Sequence, residues 1–247
     1  MHLNKTIHIQ RIILSKMKII EGQIENLFVH KAKYDFIKNS GKQATVSAAL
    51  GAAVGNAALA SQAILVANSQ WDVKECSFEL NGQKYEGLFE DIYFSNHAQL
   101  ICLVQDHIAL VLIDPKDNKM YIPIGTGETI KQLKRKHTIL YAFYILIMLV
   151  LLVILKESIL FSLTIILLYS LIMYFFMSLP MYRAEKGKGL LTERIIELLG
   201  VTDVNKINLT KNAFVDKNQT MTKSWVIEYQ NAFKQNNPYP KDYFEKK

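Results

Sequence analysis

The sequence predicts an α+β membrane protein: a β-rich cytosolic unit, a transmembrane helical hairpin and a small helical C-terminal segment. Three observations lead there. Between Thr138 and Tyr182 the only charged side chains are Lys156 and Glu157, and the uncharged runs on either side match the ~17–25 residues of a bilayer-spanning helix. Basic clusters flank this stretch, with Lys131, Lys134, Arg135 and Lys136 before it and Arg183, Lys186 and Lys188 after it. Upstream, short β-branched and aromatic runs alternate with turn signals, as in an antiparallel sheet.

In order, residues 1–17 form an N-terminal extension, basic with scattered isoleucines, and the start at Met1 or at Met17 stays open. The β-rich domain covers residues 18–127. Its opening, Lys18–Ile37, mixes apolar and charged residues at near-alternate spacing, which predicts one or two strands with a bulge or turn near Glu21-Gly22. Residues 44–68 lack any charge and are dominated by Ala and Gly. Gly51 and Gly55 there make a GxxxG pair, the spacing that lets two helices approach closely. A helix packed in the cytosolic unit, a membrane-inserting or oligomerising helix, and a loop all remain open for this segment. Asn81-Gly82 is a strong hairpin signal, because both turn positions need positive φ. Gln105-Asp106-His107 and Asp114–Asn118 mark two further turns, and Met120–Ile124 a last strand.

Transmembrane helix 1 is placed at residues 138–155 and transmembrane helix 2 at 158–179, with Lys156 and Glu157 in the turn between them. One continuous helix would bury both charges at ~2.5–3.5 kcal/mol each. By the positive-inside rule, the flanking Lys and Arg residues set the topology: a multi-pass inner-membrane protein with both termini cytoplasmic. Residues 183–247 form the C-terminal segment, with an amphipathic helix at Lys188–Leu199 stopped by Gly200 and a second helix at Met221–Lys234 carrying Trp225, Tyr229 and Phe233 at helical spacing.

The net charge is +7, part of it the two basic clusters, and no arginine-rich arm or aromatic–basic interleaving points to nucleic acid. Cys76 and Cys102 lack CxxC spacing and read as reduced, partly buried thiols. No catalytic, cofactor or metal constellation emerges. His97 and His107 bracket Cys102 without ligand spacing, Asp91 and Asp106 read as loop acids, and Gly125-Thr126-Gly127 lacks the Lys-Ser/Thr of a phosphate loop. No small-molecule substrate is evident. The partners expected are the lipid bilayer, a second copy, or a cognate toxin or immunity protein.

The opening Lys18-Ile-Ile-Glu-Gly-Gln-Ile-Glu-Asn-Leu27, the small-residue stretch, the strand pair Phe78-Glu-Leu-Asn-Gly-Gln-Lys-Tyr-Glu-Gly-Leu88 and the two apolar runs together resemble a family of bacterial type VI secretion system effectors. The resemblance covers most of residues 17–200 and implies a role in contact-dependent bacterial competition. It carries no active-site residues. It leaves two roles: a non-enzymatic effector acting at the inner membrane, or a membrane-anchored immunity or accessory protein that binds a partner through its β domain.

Overall fold

The computed structural model describes residues 17–34, 71–155, 164–165, 168–172, 174–216, 221–234 and 237–247. Gly51, Gly55, the rest of 44–68, and Lys156 and Glu157 lie outside the described residues. Among those described, eight strands form one sheet: β1 Lys18–Tyr34, β2 Trp71–Leu80, β3 Gln83–Phe89, β4 Gln99–Gln105, β5 Ile108–Asp114, β6 Lys119–Tyr121, β7 Ala213–Asp216 and β8 Met221–Glu228. The order is β3-β2-β1-β4-β5-β6-β8-β7. A parallel contact at Glu86 and Ile108 joins β3 to β5, so the first five strands curl into a barrel. This is the connectivity of a five-stranded Greek-key barrel of the OB type, an architecture that by itself names no ligand.

Strand β1 makes the closure possible by serving two neighbours. Its first part, Lys18–Gln23, pairs with β4, and the part from Ile24 onward pairs with β2. The register slips between Glu25 and Phe28, where Asn26 has φ 50°, and this bulge bends the strand around the barrel. The β2–β3 turn is the expected Asn81-Gly82, with φ 52° and 74°. It folds against β1: Asn81 Nδ2 donates to the Glu21 carbonyl at 3.2 Å. A Cβ on Gly22 would sit 2.9 Å from Asn81 Oδ1, so glycine is what permits that approach.

Two cores share β4 and β5. Leu100, Cys102, Val104 and Leu112 point into the barrel with Ile24, Phe78, Tyr85 and Phe89. Ile101, Leu103, Val111 and Ile113 point the other way, against Leu191, Ile195, Ile196 and Leu199. Both faces are therefore covered, which is why these strands read as continuous apolar runs rather than alternating ones. The segment predicted as a second C-terminal helix is strand β8 followed by one short turn, α3 Tyr229–Ala232. Val226 and Ile227 are fully buried on opposite faces of β8, and strand pairing to β6 and β7 outweighs the helical spacing of the aromatics.

Helix α1 runs from Ile130 to Leu155, and helix α2 from Leu179 to Leu198 after a π-helical turn at Tyr174–Ser178. Thr129 and Gln132 cap α1 reciprocally, the Thr129 N–H donating to Gln132 Oε1 at 2.9 Å and the Gln132 N–H to Thr129 Oγ1 at 3.4 Å. Helix α2 ends in a Schellman motif: Gly200 has φ 77°, its N–H donates to the Glu197 carbonyl, and the Val201 N–H to the Ile196 carbonyl.

The membrane architecture predicted from the sequence is corrected here. Among the described residues no helix is long and apolar enough to cross a membrane. The expected transmembrane helices at 138–155 and 158–179, the hairpin they would form and the multi-pass inner-membrane placement with both termini cytoplasmic are therefore not supported. Of the two uncharged runs, the second is divided among elements, its last residues forming the π-helical turn at Tyr174–Ser178 and then entering the charged helix α2. Helix α1 begins eight residues before the predicted span, so its first two turns carry Lys131, Lys134, Arg135 and Lys136. Helix α2 is amphipathic, with Arg183, Glu185, Lys186, Lys188 and Glu193 on a rod whose far end packs on the sheet. The two helices meet through a polar bond as well as apolar contact, His137, 5% exposed, holding Glu185 at 2.9 Å, and Tyr141 of α1 donates to the carbonyl of Ser170, which precedes α2, at 3.1 Å. Gly187 and Gly189 are buried inside α2. A Cβ on Gly189 would lie 2.9 Å from Leu133 Cδ1, so this glycine lets α1 and α2 touch.

Candidate functional site

The residues that the sequence singled out for chemistry fall into structural roles. After Phe89 the chain leaves the sheet, and Glu90, Asp91 and Tyr93 turn toward β7 and β8. Glu90 Oε2 accepts the Trp225 N–H at 2.8 Å. Asp91 pairs with Lys223 at 3.0 Å, both side chains 14% exposed. The Tyr93 hydroxyl donates to Asp216 Oδ2 at 3.0 Å, and its N–H donates to the Tyr121 hydroxyl at 3.1 Å. Lys119 Nζ lies 5.2 Å from the centroids of both the Tyr93 and Phe214 rings. Burial first, then the neighbouring Asp216 and Asp91, pushes the Tyr93 hydroxyl up, and burial pushes Glu90 up against the pull of its hydrogen bond to Trp225. This network joins the barrel to the last two strands, and the Asp91–Lys223 pair makes Asp91 a clamp.

Beside it a polar cleft of about 390 Å³ opens between the 93–99 loop, the β5–β6 turn and the C-terminal residues. His97 lines it, with φ 67°, its N–H donating to the Ile24 carbonyl at 3.0 Å. Lys116 and Lys241 line the same cleft with Asp114, Asp117 and Glu245, so it carries charges of both signs. Asp114 is held in the turn by the Asp117 N–H at 3.1 Å and is raised by burial.

Asp106 and His107 sit exposed in the β4–β5 turn, at the opposite end of β4 from the His97 loop. Seven strand residues, roughly 23 Å, separate the two ends. Asp91 and Asp106 therefore make no carboxylate pair, and the two histidines do not converge on Cys102, which is buried in the barrel. Both thiols are free, and burial pushes Cys76 up to about 12 and Cys102 higher still. Among the described residues no group of three or more His, Cys, Asp or Glu side chains is placed to hold a metal ion. Gly125-Thr126-Gly127 is a junction rather than a phosphate loop: the Gly127 N–H donates to buried Thr192 Oγ1 at 2.9 Å, and its carbonyl accepts the Leu209 N–H.

Two surfaces stand out instead. The first is apolar. Ile139, Phe143, Leu146 and Val150, at i, i+4, i+7 and i+11 of α1, are each more than half exposed. Leu168, Leu171 and Phe175 repeat the spacing nearby and are likewise uncovered. An apolar stripe at this period is what a helix normally buries against another. The second surface is basic and brings Lys131, Arg135 and Lys136 against Lys206 and Lys211. The sequence shows the apolar stripe only as part of a featureless run. The basic surface joins residues about seventy positions apart, and no local signal links them.

Compared with known proteins, the chain matches no family model, no curated protein and no solved structure.

Proposed function

We propose that the chain is a non-enzymatic binding protein of bacterial competition, a type VI secretion-associated effector or its immunity or accessory counterpart, that works by self-association. The barrel is the scaffold, and α1 with the neighbouring 168–175 residues presents the contact surface. The observation that supports this reading is the uncovered stripe of Ile139, Phe143, Leu146 and Val150. Exposed apolar patches larger than a few hundred Å² are uncommon on monomers and mark interaction sites. The 4-3-4 spacing is that of a coiled-coil seam, which a second copy of the same helix complements across a two-fold axis. The secretion-system assignment rests on the sequence resemblance alone.

The test combines sedimentation with growth. Wild type should sediment as a dimer or larger species, and a Phe143→Asp, Leu146→Asp variant should shift to monomer with unchanged far-ultraviolet dichroism. Induced in a naive bacterial strain, wild type should arrest growth if it is the effector, and the variant should not. If wild type associates but leaves growth intact, the immunity or accessory role stands. Wild type and variant sedimenting alike as monomers would overturn the reading.

A further inference from the structure

We infer that the basic groove at the foot of α1 binds a phosphate-bearing anion. The groove has a volume of about 950 Å³ and two built walls. One is α1, presenting Lys131, Arg135 and Lys136 at i, i+4 and i+5 and then Ile139 and Leu140 above them. The other is the pair of 3-10 turns at Val204–Lys206 and Thr210–Asn212, which bring Lys206 and Lys211 across. Gln132 ties the walls together, its Nε2 donating to the Ile207 carbonyl at 2.7 Å.

Five cations thus face Glu128, the one acidic residue lining the groove. Glu128 holds Lys136 at 3.2 Å, and Lys206 pairs outward with Asp203 at 2.9 Å. The Lys206 pair is exposed on both sides and the Lys136 pair is half-buried only at Glu128, so a ligand can displace them. Lys131, Arg135 and Lys211 have no ion-pair partner among the described residues. A basic stripe on a single helix is ordinarily a solvated face. Here a second element carries like charge up against it, and such convergence opposes folding unless an anion occupies the space.

The chemistry favours phosphate over a lone carboxylate. A carboxylate offers two oxygens and one charge, too little for five cations, whereas a phosphate ester or polyphosphate offers several acceptors and suits the planar fork of Arg135. No aromatic side chain lines the groove, so it lacks the stacking surface of a single-stranded nucleic-acid site. Ile139 and Leu140 at the upper end accommodate an apolar substituent on the phosphate. A soluble phosphate compound and a phospholipid headgroup share this chemistry.

Calorimetric titration of the full chain with sodium tripolyphosphate tests the site. Parallel flotation uses phosphatidylcholine vesicles with and without phosphatidylglycerol. The variant is Arg135→Gln, Lys211→Gln, and the control is Lys31→Gln, Lys84→Gln on the barrel. Binding of tripolyphosphate that weakens roughly tenfold or more in the groove variant alone supports a soluble phosphate ligand. Flotation only with phosphatidylglycerol, lost in the same variant, supports a headgroup. In low salt without ligand, the groove variant should melt above wild type, a readout independent of ligand choice. Groove and control variants that behave alike in titration, flotation and melting overturn the proposal, as does a single-stranded oligonucleotide that outcompetes tripolyphosphate at the same residues.

Discussion

Thr192→Val isolates one hydrogen bond at the junction of helix and barrel. Thr192 is fully buried in α2; its Oγ1 accepts the Gly127 N–H at 2.9 Å and donates to the Lys188 carbonyl at 3.0 Å. Valine fills nearly the same volume, so no cavity opens and the packing term stays small. The bond to Lys188 is a back-bond within the helix and contributes little. The Gly127 N–H, however, belongs to a buried residue and loses its acceptor. An unsatisfied buried donor costs about 1–3 kcal/mol, or about a 5- to 150-fold rise in the unfolding constant. Thr192→Ser keeps the hydroxyl and loses only a methyl group, so it should cost about 1 kcal/mol. Urea unfolding followed by tryptophan fluorescence from Trp71 and Trp225 measures both, and hydrogen exchange at Gly127 reports the bond directly. The reasoning is refuted if the serine variant is the less stable of the two, or if valine matches wild type. Either result would mean that methyl packing, not the bond, holds the junction.

Three other outcomes are expected. Gly200→Ala should cost about 1–2 kcal/mol in thermal or urea unfolding: φ is 77° there, nothing lies within 4 Å of an added Cβ, and the penalty is purely backbone. Asp91→Ala and Lys223→Ala should each cost about 3 kcal/mol by stranding a partly buried charge. The double variant should cost less than their sum, and strict additivity in the cycle would show that the pair is uncoupled. Burial raises the folded values of Glu90, Asp114 and Glu193 above the ordinary 4.5 and 3.8. The folded state then holds more protons than the unfolded one, so these groups favour stability below the ordinary values and lose it as pH rises through the folded ones. Glu193→Gln should flatten that decline in urea midpoints taken between about pH 4 and pH 7, and an unchanged slope would remove Glu193 from the account.

Much of the barrel is legible locally. Asn81-Gly82 announces a two-residue hairpin because only a few residue types accept positive φ at both positions, and Gly200 announces a helix end for the same reason. The strand runs around Gln99–Val104 and Ile108–Ile113 are visible from their apolar side chains and the turn between them. What these signals leave open is which strands meet. The closure at Glu86 and Ile108, the division of β1 between β4 and β2, and the insertion of β8 beside β6 depend on contacts far apart in sequence. The aromatics Trp225, Tyr229 and Phe233 show the same limit, since helical spacing is a local preference and cross-strand pairing overrides it.

By itself, then, the sequence determined the turns, the helix stop, the buried thiols and the concentration of apolar residues after Thr138, all of which follow from backbone sterics or from the transfer of side chains out of water. Tertiary structure alone decided where that apolar material goes. It docked α2 on the outer face of β4 and β5, and bonded His137 to Glu185 between the helices. It separated Asp91 from Asp106, and gathered Lys131, Arg135, Lys206 and Lys211 into one groove. A run of residues records what each side chain prefers to avoid; only the folded chain determines what it meets instead.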